Sequence, residues 1–154
     1  MLNNIYRKFL LVLHHTLSNI SVYFSAYPDL KLINIIRNPI DLIYSWNKEN
    51  LDERVSNESF NFWPNIMGSL GPIPWYANDW KDEFESISGL DRIIKSISHL
   101  IYLQDRSLAS LSKIQKQQIL TIKYEDVVEN THIVIDKIGS FLETTPLKNI
   151  DKVL

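Results

Sequence analysis

Three short apolar segments rich in branched residues recur along the chain, and helical patterns lie between them. The segments are residues 8–14, 31–37 and 118–124. Apolar runs of this length are typical of strands that are buried on both faces of a sheet. Strands that alternate with helices form a parallel sheet, because each connection has to cross back over the sheet before the next strand begins. The sequence therefore predicts an α/β fold with three layers, in which helices flank a parallel sheet.

The segments between the strands carry helix signals. Asn38 can cap a helix, Pro39 fits the first helical position, and Asp41 would meet the positive end of the helix dipole. Together they predict a helix that runs to about Asn50. Apolar residues at helical spacing predict a long amphipathic helix over roughly residues 89–112.

Size and composition restrict the class of protein. A chain of 154 residues fits one domain, so residues 1–154 are expected to form a single unit. The net charge of −2 provides no overall field that would attract nucleic acid or an anionic membrane surface. The absence of cysteine excludes a disulfide, a thiolate zinc site and a cysteine nucleophile, and it favours a reducing, cytoplasmic location. The apolar run at residues 9–13 is too short for a signal sequence or a membrane span.

The residues after the second predicted strand form the strongest candidate binding site. Arg37 ends the strand, a helix begins at Pro39, and Ser45 lies one turn into that helix. In parallel sheets, ligands bind at the carboxyl ends of strands, where helix N-termini receive phosphate groups. Arg37 would add a charge-assisted hydrogen bond and Ser45 a hydroxyl donor. The alternative is that Arg37 pairs with Asp41 or another acid, and that Ser45 only lies on a helix surface.

The run Arg37-x-Pro39-x-Asp41-x-x-x-Ser45 resembles the 3′-phosphate-binding segment of the sulfotransferase family, which uses 3′-phosphoadenosine 5′-phosphosulfate as co-substrate. The resemblance implies that Arg37 and Ser45 hold the 3′-phosphate and that Asp41 caps the helix. It also implies a P-loop nucleotide-binding type of α/β fold and sulfuryl transfer to a hydroxyl or amine group, without a metal. The acceptor would be a small molecule, a carbohydrate or a lipid. The likeness covers about residues 8 to 143.

Two further segments resemble the same family. Tyr124-Glu125-Asp126 is similar to a Tyr-Glu-Asp segment that follows a strand in sulfotransferases, which makes Tyr124 a candidate contact for the adenosine group. His14 and His15 follow the first predicted strand, where several family members have a histidine that takes the proton from the acceptor. His15 is the first candidate for this catalytic role because of its spacing to Arg37, and His14 is the second. The alternatives are a packed tyrosine and ordinary exposed or capping histidines.

Residues 51–82 have no regular period and contain three of the six prolines and three of the four tryptophans. We interpret them as an irregular aromatic loop on the acceptor side, because flat rings suit sugars and lipids. The alternative is a small additional core beneath the sheet.

Two elements of the family are not found within the 154 residues. One is the Pro-Lys-Ser-Gly-Thr-like loop whose amides and lysine hold the 5′-phosphosulfate, and the other is a late loop around the 3′-phosphate. We therefore expect a chain truncated at both ends that is a very poor catalyst. An unpaired edge at residues 9–13 or 32–36 would favour self-association. The alternatives are a non-catalytic nucleotide-binding module and a degenerate relative of P-loop kinases.

Overall fold

A computed structural model describes residues 10–51, 64–87 and 89–145 of the protein. Helices and short strands alternate along this part of the chain. In chain order the elements are the 3-10 helix η1 Thr16–Asn19, α1 Ile20–Ala26, β1 Leu32–Ile36, α2 Pro39–Lys48, β2 Asn65–Met67, β3 Pro72–Pro74, the 3-10 helix η2 Trp75–Trp80, α3 Lys81–Ser86, α4 Gly89–Ser110, α5 Lys113–Gln117, β4 Ile119–Lys123, α6 Tyr124–Glu129 and α7 Thr131–Leu142.

The parallel sheet is formed by β1 and β4. Their register runs from Leu32 opposite Ile119 to Ile36 opposite Lys123. Both strands are where the apolar segments predict them, so their positions are confirmed. The expected burial on both faces is not observed, because Ile35 and Ile36 are 58% and 39% exposed. The chain is of the α/β kind, with helices between two parallel strands.

The first predicted strand is not formed in its described part, residues 10–14, and residues 8 and 9 lie outside the described ranges. Leu10, Leu11 and Val12 are 86%, 71% and 79% exposed instead of buried. The prediction was wrong for these residues because branched side chains indicate only that a segment fits a pleated surface. They do not specify a neighbouring strand with which it can pair.

The described part of the aromatic segment is more regular than expected. Strands β2 and β3 pair as an antiparallel hairpin, and η2 follows directly. Its side chains contribute to the first of two buried clusters, which consists of Ile73, Tyr76, Ala77, Phe84 and Leu100. Phe60, Phe62 and Trp63 lie outside the described residues.

The long helix α4 connects the two buried clusters. Its bounds agree with the amphipathic helix that the sequence predicts. Leu100 belongs to the first cluster, while Leu108 packs against the second, which consists of Leu17, Ile20, Phe24 and Leu111. Burying side chains of this size stabilises the fold by about 1.5–3 kcal/mol each. Within the described residues, no helix has the length and apolar character needed to cross a membrane.

Helix α2 follows β1 and packs against α4. It ends at Lys48, two residues before the predicted Asn50. Trp46 packs against the first buried cluster and fixes the helix on that side. The N-terminus of α2 therefore has a defined position at the carboxyl end of β1.

Candidate functional site

Arg37 and Tyr124 lie side by side at the carboxyl edge of the parallel sheet. Ile36 and Lys123 are the last paired residues of the two strands, so the residues that follow them leave the sheet together. The guanidinium carbon of Arg37 is 5.1 Å from the centre of the Tyr124 ring. A cation–π contact of this kind stabilises by about 0.5–1 kcal/mol at an exposed site. The structure thus brings together two of the predicted site residues.

The N-terminus of α2 opens at the same edge. The Asn38 side chain accepts a hydrogen bond of 2.9 Å from the Ile40 backbone N–H, and Pro39 occupies the first helical position. The capping side chain is therefore Asn38, whereas Asp41 lies in the first turn. The positive end of the helix dipole lies next to the residue that follows Arg37, an arrangement that favours an anion.

Glu125 is a member of this site that the sequence alone did not single out. Its carboxylate accepts a hydrogen bond of 2.9 Å from the backbone N–H of Asn38. This hydrogen bond, together with one from the Glu125 backbone and the charges of Arg37 and Lys123, lowers the pKa of Glu125 below its ordinary value. No sequence pattern signals the contact, because it joins residues 87 positions apart and depends on the register of the two strands.

Ser45 lies farther along α2 than the other candidate residues. It is six residues beyond Pro39, which corresponds to about 9 Å along the helix axis. The residue is partly buried. Its predicted role as a donor to the 3′-phosphate stays a prediction.

His14 and His15 lie on a different element from Arg37. His15 precedes η1 with a left-handed backbone conformation, φ 55°, and its ring centre is 6.4 Å from that of His14. The next turn contributes Leu17 to the second buried cluster, which also packs against Leu32 and Ile119. Because Leu32 and Ile119 begin the two strands, this cluster lies toward the amino ends of the sheet. The catalytic role of either histidine stays a prediction.

Burial lowers the pKa of His15 from 6.5 to about 4, and the neighbouring His14 adds to the effect. The imidazole is therefore neutral at pH 7 and has a nitrogen lone pair that can accept a proton or a hydrogen bond. Its conjugate acid would be a stronger acid than an ordinary imidazolium. A base with so low a pKa takes up a proton less readily than an ordinary imidazole, because proton transfer is most effective when the pKa lies near the working pH.

The aromatic side chains of η2 point into the protein rather than forming an open lip. Tyr76 is 3% exposed, and burial raises its pKa to about 12. The Trp80 indole N–H donates to the Tyr76 carbonyl oxygen at 3.2 Å, and its ring packs edge-on against Phe84. These described rings fit the alternative of an additional core. The acceptor-side role of the whole segment at residues 51–82 stays a prediction.

A small cavity lies between α2 and α4. Its volume is about 10 Å³, which is the space of one water molecule. Trp46, Tyr76, Arg92 and Ser96 are among the residues that line it. Over residues 10–51, 64–87 and 89–145, no three histidine or acidic side chains gather closely enough to hold a metal ion.

The fold and the site define a class of α/β protein that presents a cation, a capped helix N-terminus and an aromatic ring at the carboxyl edge of a parallel sheet. Comparison with known families gives a match to the sulfotransferase domain over residues 2–154. The chain belongs to the sulfotransferase family, as the resemblance of its motifs predicts. No match was found among curated proteins or among solved structures.

Proposed function

We propose that the protein binds 3′-phosphoadenosine 5′-phosphosulfate at the carboxyl edge of its parallel sheet and transfers the sulfuryl group to a hydroxyl or amine acceptor. Membership of the sulfotransferase family supports sulfuryl transfer in general. The observation that carries the proposal is the meeting of Arg37, Tyr124 and the N-terminus of α2 at one sheet edge. Phosphate recognition in parallel α/β proteins uses this edge.

Arg37 is the residue best suited to hold the 3′-phosphate. It is exposed, its guanidinium rests on the Tyr124 ring, and the nearby Glu125 carboxylate is hydrogen-bonded to the Asn38 backbone, so the guanidinium can still donate to an anion. Ser45 would add a hydroxyl donor, and Tyr124 would contact the adenosine group. Two backbone N–H groups at the start of α2, those of Asn38 and Ile40, already have partners within the protein. The helix therefore contributes mainly its dipole, and the side chains contribute the hydrogen bonds.

In the proposed reaction, an oxygen or nitrogen of the acceptor attacks sulfur, and the bond between sulfur and the bridging phosphate oxygen breaks. Adenosine 3′,5′-bisphosphate leaves with the electrons of that bond. The proposed proton acceptor is His15, with His14 as the second candidate, although the cluster next to His15 packs against the amino ends of the strands and Arg37 lies at their carboxyl edge. The base has to be neutral to accept the proton, and the low pKa of His15 keeps it neutral at pH 7 but also makes it a weaker base than an ordinary imidazole. No metal takes part in the proposed chemistry.

The 154 residues alone are proposed to bind the nucleotide without fast transfer. They contain no Pro-Lys-Ser-Gly-Thr-like loop to stabilise the charge that develops at the 5′ end. Removing even one donor of this kind costs about a hundredfold in rate. We further propose a three-layer fold of the P-loop type, a cytoplasmic location, self-association through an exposed sheet edge, and a small-molecule, carbohydrate or lipid acceptor.

Calorimetric titration of the 154-residue protein with adenosine 3′,5′-bisphosphate and adenosine 5′-monophosphate tests the proposal. The bisphosphate should bind detectably and more tightly, because Arg37 and Ser45 address the 3′-phosphate that the monophosphate lacks. Equal affinities for the two nucleotides would contradict the assignment. Bisphosphate binding with no transfer from a labelled donor, even in a longer protein that includes a phosphate loop, would favour a non-catalytic nucleotide-binding module.

A further inference from the structure

We infer that Glu125 is a positioning residue of the proposed 3′-phosphate site, which holds Arg37 and the start of α2 in place from the neighbouring strand. The inference rests on the proposed function, because it concerns the same site. Glu125 contacts the backbone of Asn38 and not Arg37 itself, so its influence on a bound phosphate would be indirect.

Asn38 is the residue through which Glu125 acts. Its backbone N–H donates to the Glu125 carboxylate at 2.9 Å, and its side chain accepts from Ile40 at 2.9 Å. The two hydrogen bonds connect α6, which carries Glu125, to the first turn of α2. They form a clamp between two strand ends that are also joined by the last rung of the sheet, Ile36 opposite Lys123, and by the contact between Arg37 and Tyr124.

The clamp lies one residue beyond the contact between Arg37 and Tyr124. Two successive pairs therefore face each other across the edge: Arg37 with Tyr124, and Asn38 with Glu125. The second pair restricts the backbone on the C-terminal side of Arg37, while β1 restricts it on the N-terminal side. The backbone of Arg37 is thus fixed on both sides, and its side chain extends over the Tyr124 ring.

Fixing the backbone around Arg37 should affect phosphate binding, because side chains supply most of the hydrogen-bond donors at this site. The N–H groups of Asn38 and Ile40 are engaged within the protein, and Pro39 has none. A phosphate at the edge must therefore obtain much of its hydrogen bonding from Arg37. If the arginine has to be ordered on binding, the loss of its rotamer freedom weakens the complex.

The negative charge of Glu125 should lower the affinity for phosphate, whereas its hydrogen bond to Asn38 should raise it. A carboxylate next to a phosphate repels it, so a residue whose only effect was electrostatic would reduce affinity, and its removal would increase it. Glutamine keeps an oxygen that can accept the Asn38 N–H but has no charge. The two roles of Glu125 can therefore be separated by comparing alanine with glutamine.

The test compares the unmodified 154-residue protein with Glu125→Ala, Glu125→Gln and Asp126→Ala. Asp126 is the matched control, because it is an exposed acid in the same helical turn. Calorimetry would measure the affinity for adenosine 3′,5′-bisphosphate. Amide hydrogen exchange of the nucleotide-free protein would measure the protection of Asn38, which does not depend on any ligand.

We expect Glu125→Ala to weaken bisphosphate binding about tenfold and to lose Asn38 protection. Glu125→Gln should keep the protection and bind at least as tightly as the unmodified protein, and Asp126→Ala should not weaken binding. If the unmodified protein binds the bisphosphate but Glu125→Ala binds it equally well, the positioning role is overturned and the proposed function stands. If Glu125→Gln weakens binding as much as Glu125→Ala, the clamp is likewise rejected. If the unmodified protein binds no bisphosphate, both the positioning role of Glu125 and the proposed function are overturned.

Discussion

Arg37 rests on the ring of Tyr124, with 5.1 Å between its guanidinium carbon and the ring centre. The parallel register of β1 and β4 produces this contact, because the two residues directly follow the last paired positions. The ring restrains the guanidinium without removing its charge, while the nearby Glu125 carboxylate bonds to the Asn38 backbone. The contact therefore orders a cation at the edge where we propose that the nucleotide binds.

Two substitutions of Tyr124 should distinguish the contribution of its ring to nucleotide binding from that of its hydroxyl group. Tyr124→Leu should weaken binding of adenosine 3′,5′-bisphosphate about two- to fivefold, because it removes a cation–π contact worth about 0.5–1 kcal/mol. Tyr124→Phe keeps the ring and should bind nearly as well as the unmodified protein. Calorimetry checks both values. A Leu variant with unchanged affinity would mean that the ring neither orders Arg37 nor contacts the nucleotide.

His15→Ala should remove sulfuryl transfer while nucleotide binding remains. General-base catalysis contributes about 10²–10⁴-fold to a rate, and the base acts on the acceptor rather than on the adenosine group. The assay is transfer from a labelled donor, in a form of the protein in which transfer is measurable. His14→Ala is the matched control. Retained activity in His15→Ala and lost activity in His14→Ala would move the role to His14.

The stability of the protein should depend on pH through His15. Burial and the neighbouring His14 lower its pKa from 6.5 to about 4, so the unfolded chain binds the proton more readily than the folded protein. The stability associated with neutral His15 is complete above pH 6.5 and is lost as the pH falls toward 4.

Urea unfolding at pH 7 and pH 4.5 would measure this loss. The acid-induced drop in the unfolding free energy should be smaller in His15→Gln than in the unmodified protein by about 1–2 kcal/mol. His14→Gln should change the drop less, because His14 is only the minor cause of the shift. An identical drop in the unmodified protein and in His15→Gln would show that His15 is not protected from protonation by the fold.

The sequence predicts those elements whose signals are local. The cap at Asn38, the proline at the first position of α2 and the apolar spacing of α4 are each contained within a few turns of helix. The strands around Ile35 and Ile122 are recognisable because they are short and apolar. Arg37 and Tyr124 were found as candidates through motifs, and the register of the strands explains why they meet.

Features that depend on distant partners could not be predicted in this way. The hydrogen bond between Glu125 and Asn38 follows from strand pairing, and an isolated glutamate carries no sign of it. The aromatic residues of η2 have the same composition in a core as in a ligand-binding lip, and only packing distinguishes the two. Leu10 to Leu13 have the composition of a strand, yet the described residues provide no strand beside them.

The exposed residues Leu10 to Leu13 should promote association of the 154-residue protein. Four successive exposed apolar side chains form an unusual surface for a soluble monomer, and they can be buried against a second copy. Light scattering after size exclusion should give a mass above 18.0 kDa that rises with concentration. Leu11→Lys should reduce the effect. Leu70→Lys is the control, because Leu70 is 83% exposed but lies at a hairpin turn. A constant mass of 18.0 kDa would contradict the prediction.

The most direct test of the proposed nucleotide site is the effect of Arg37→Ala on two nucleotides measured in parallel. Arg106→Ala is the matched control, because it removes the same charge from an exposed position on α4. Arg37→Ala should weaken binding of adenosine 3′,5′-bisphosphate about ten- to a hundredfold, the value of a charged hydrogen bond. Binding of adenosine 5′-monophosphate should change little, and Arg106→Ala should affect neither nucleotide. An Arg37→Ala protein that binds the bisphosphate as tightly as the unmodified protein would contradict the account.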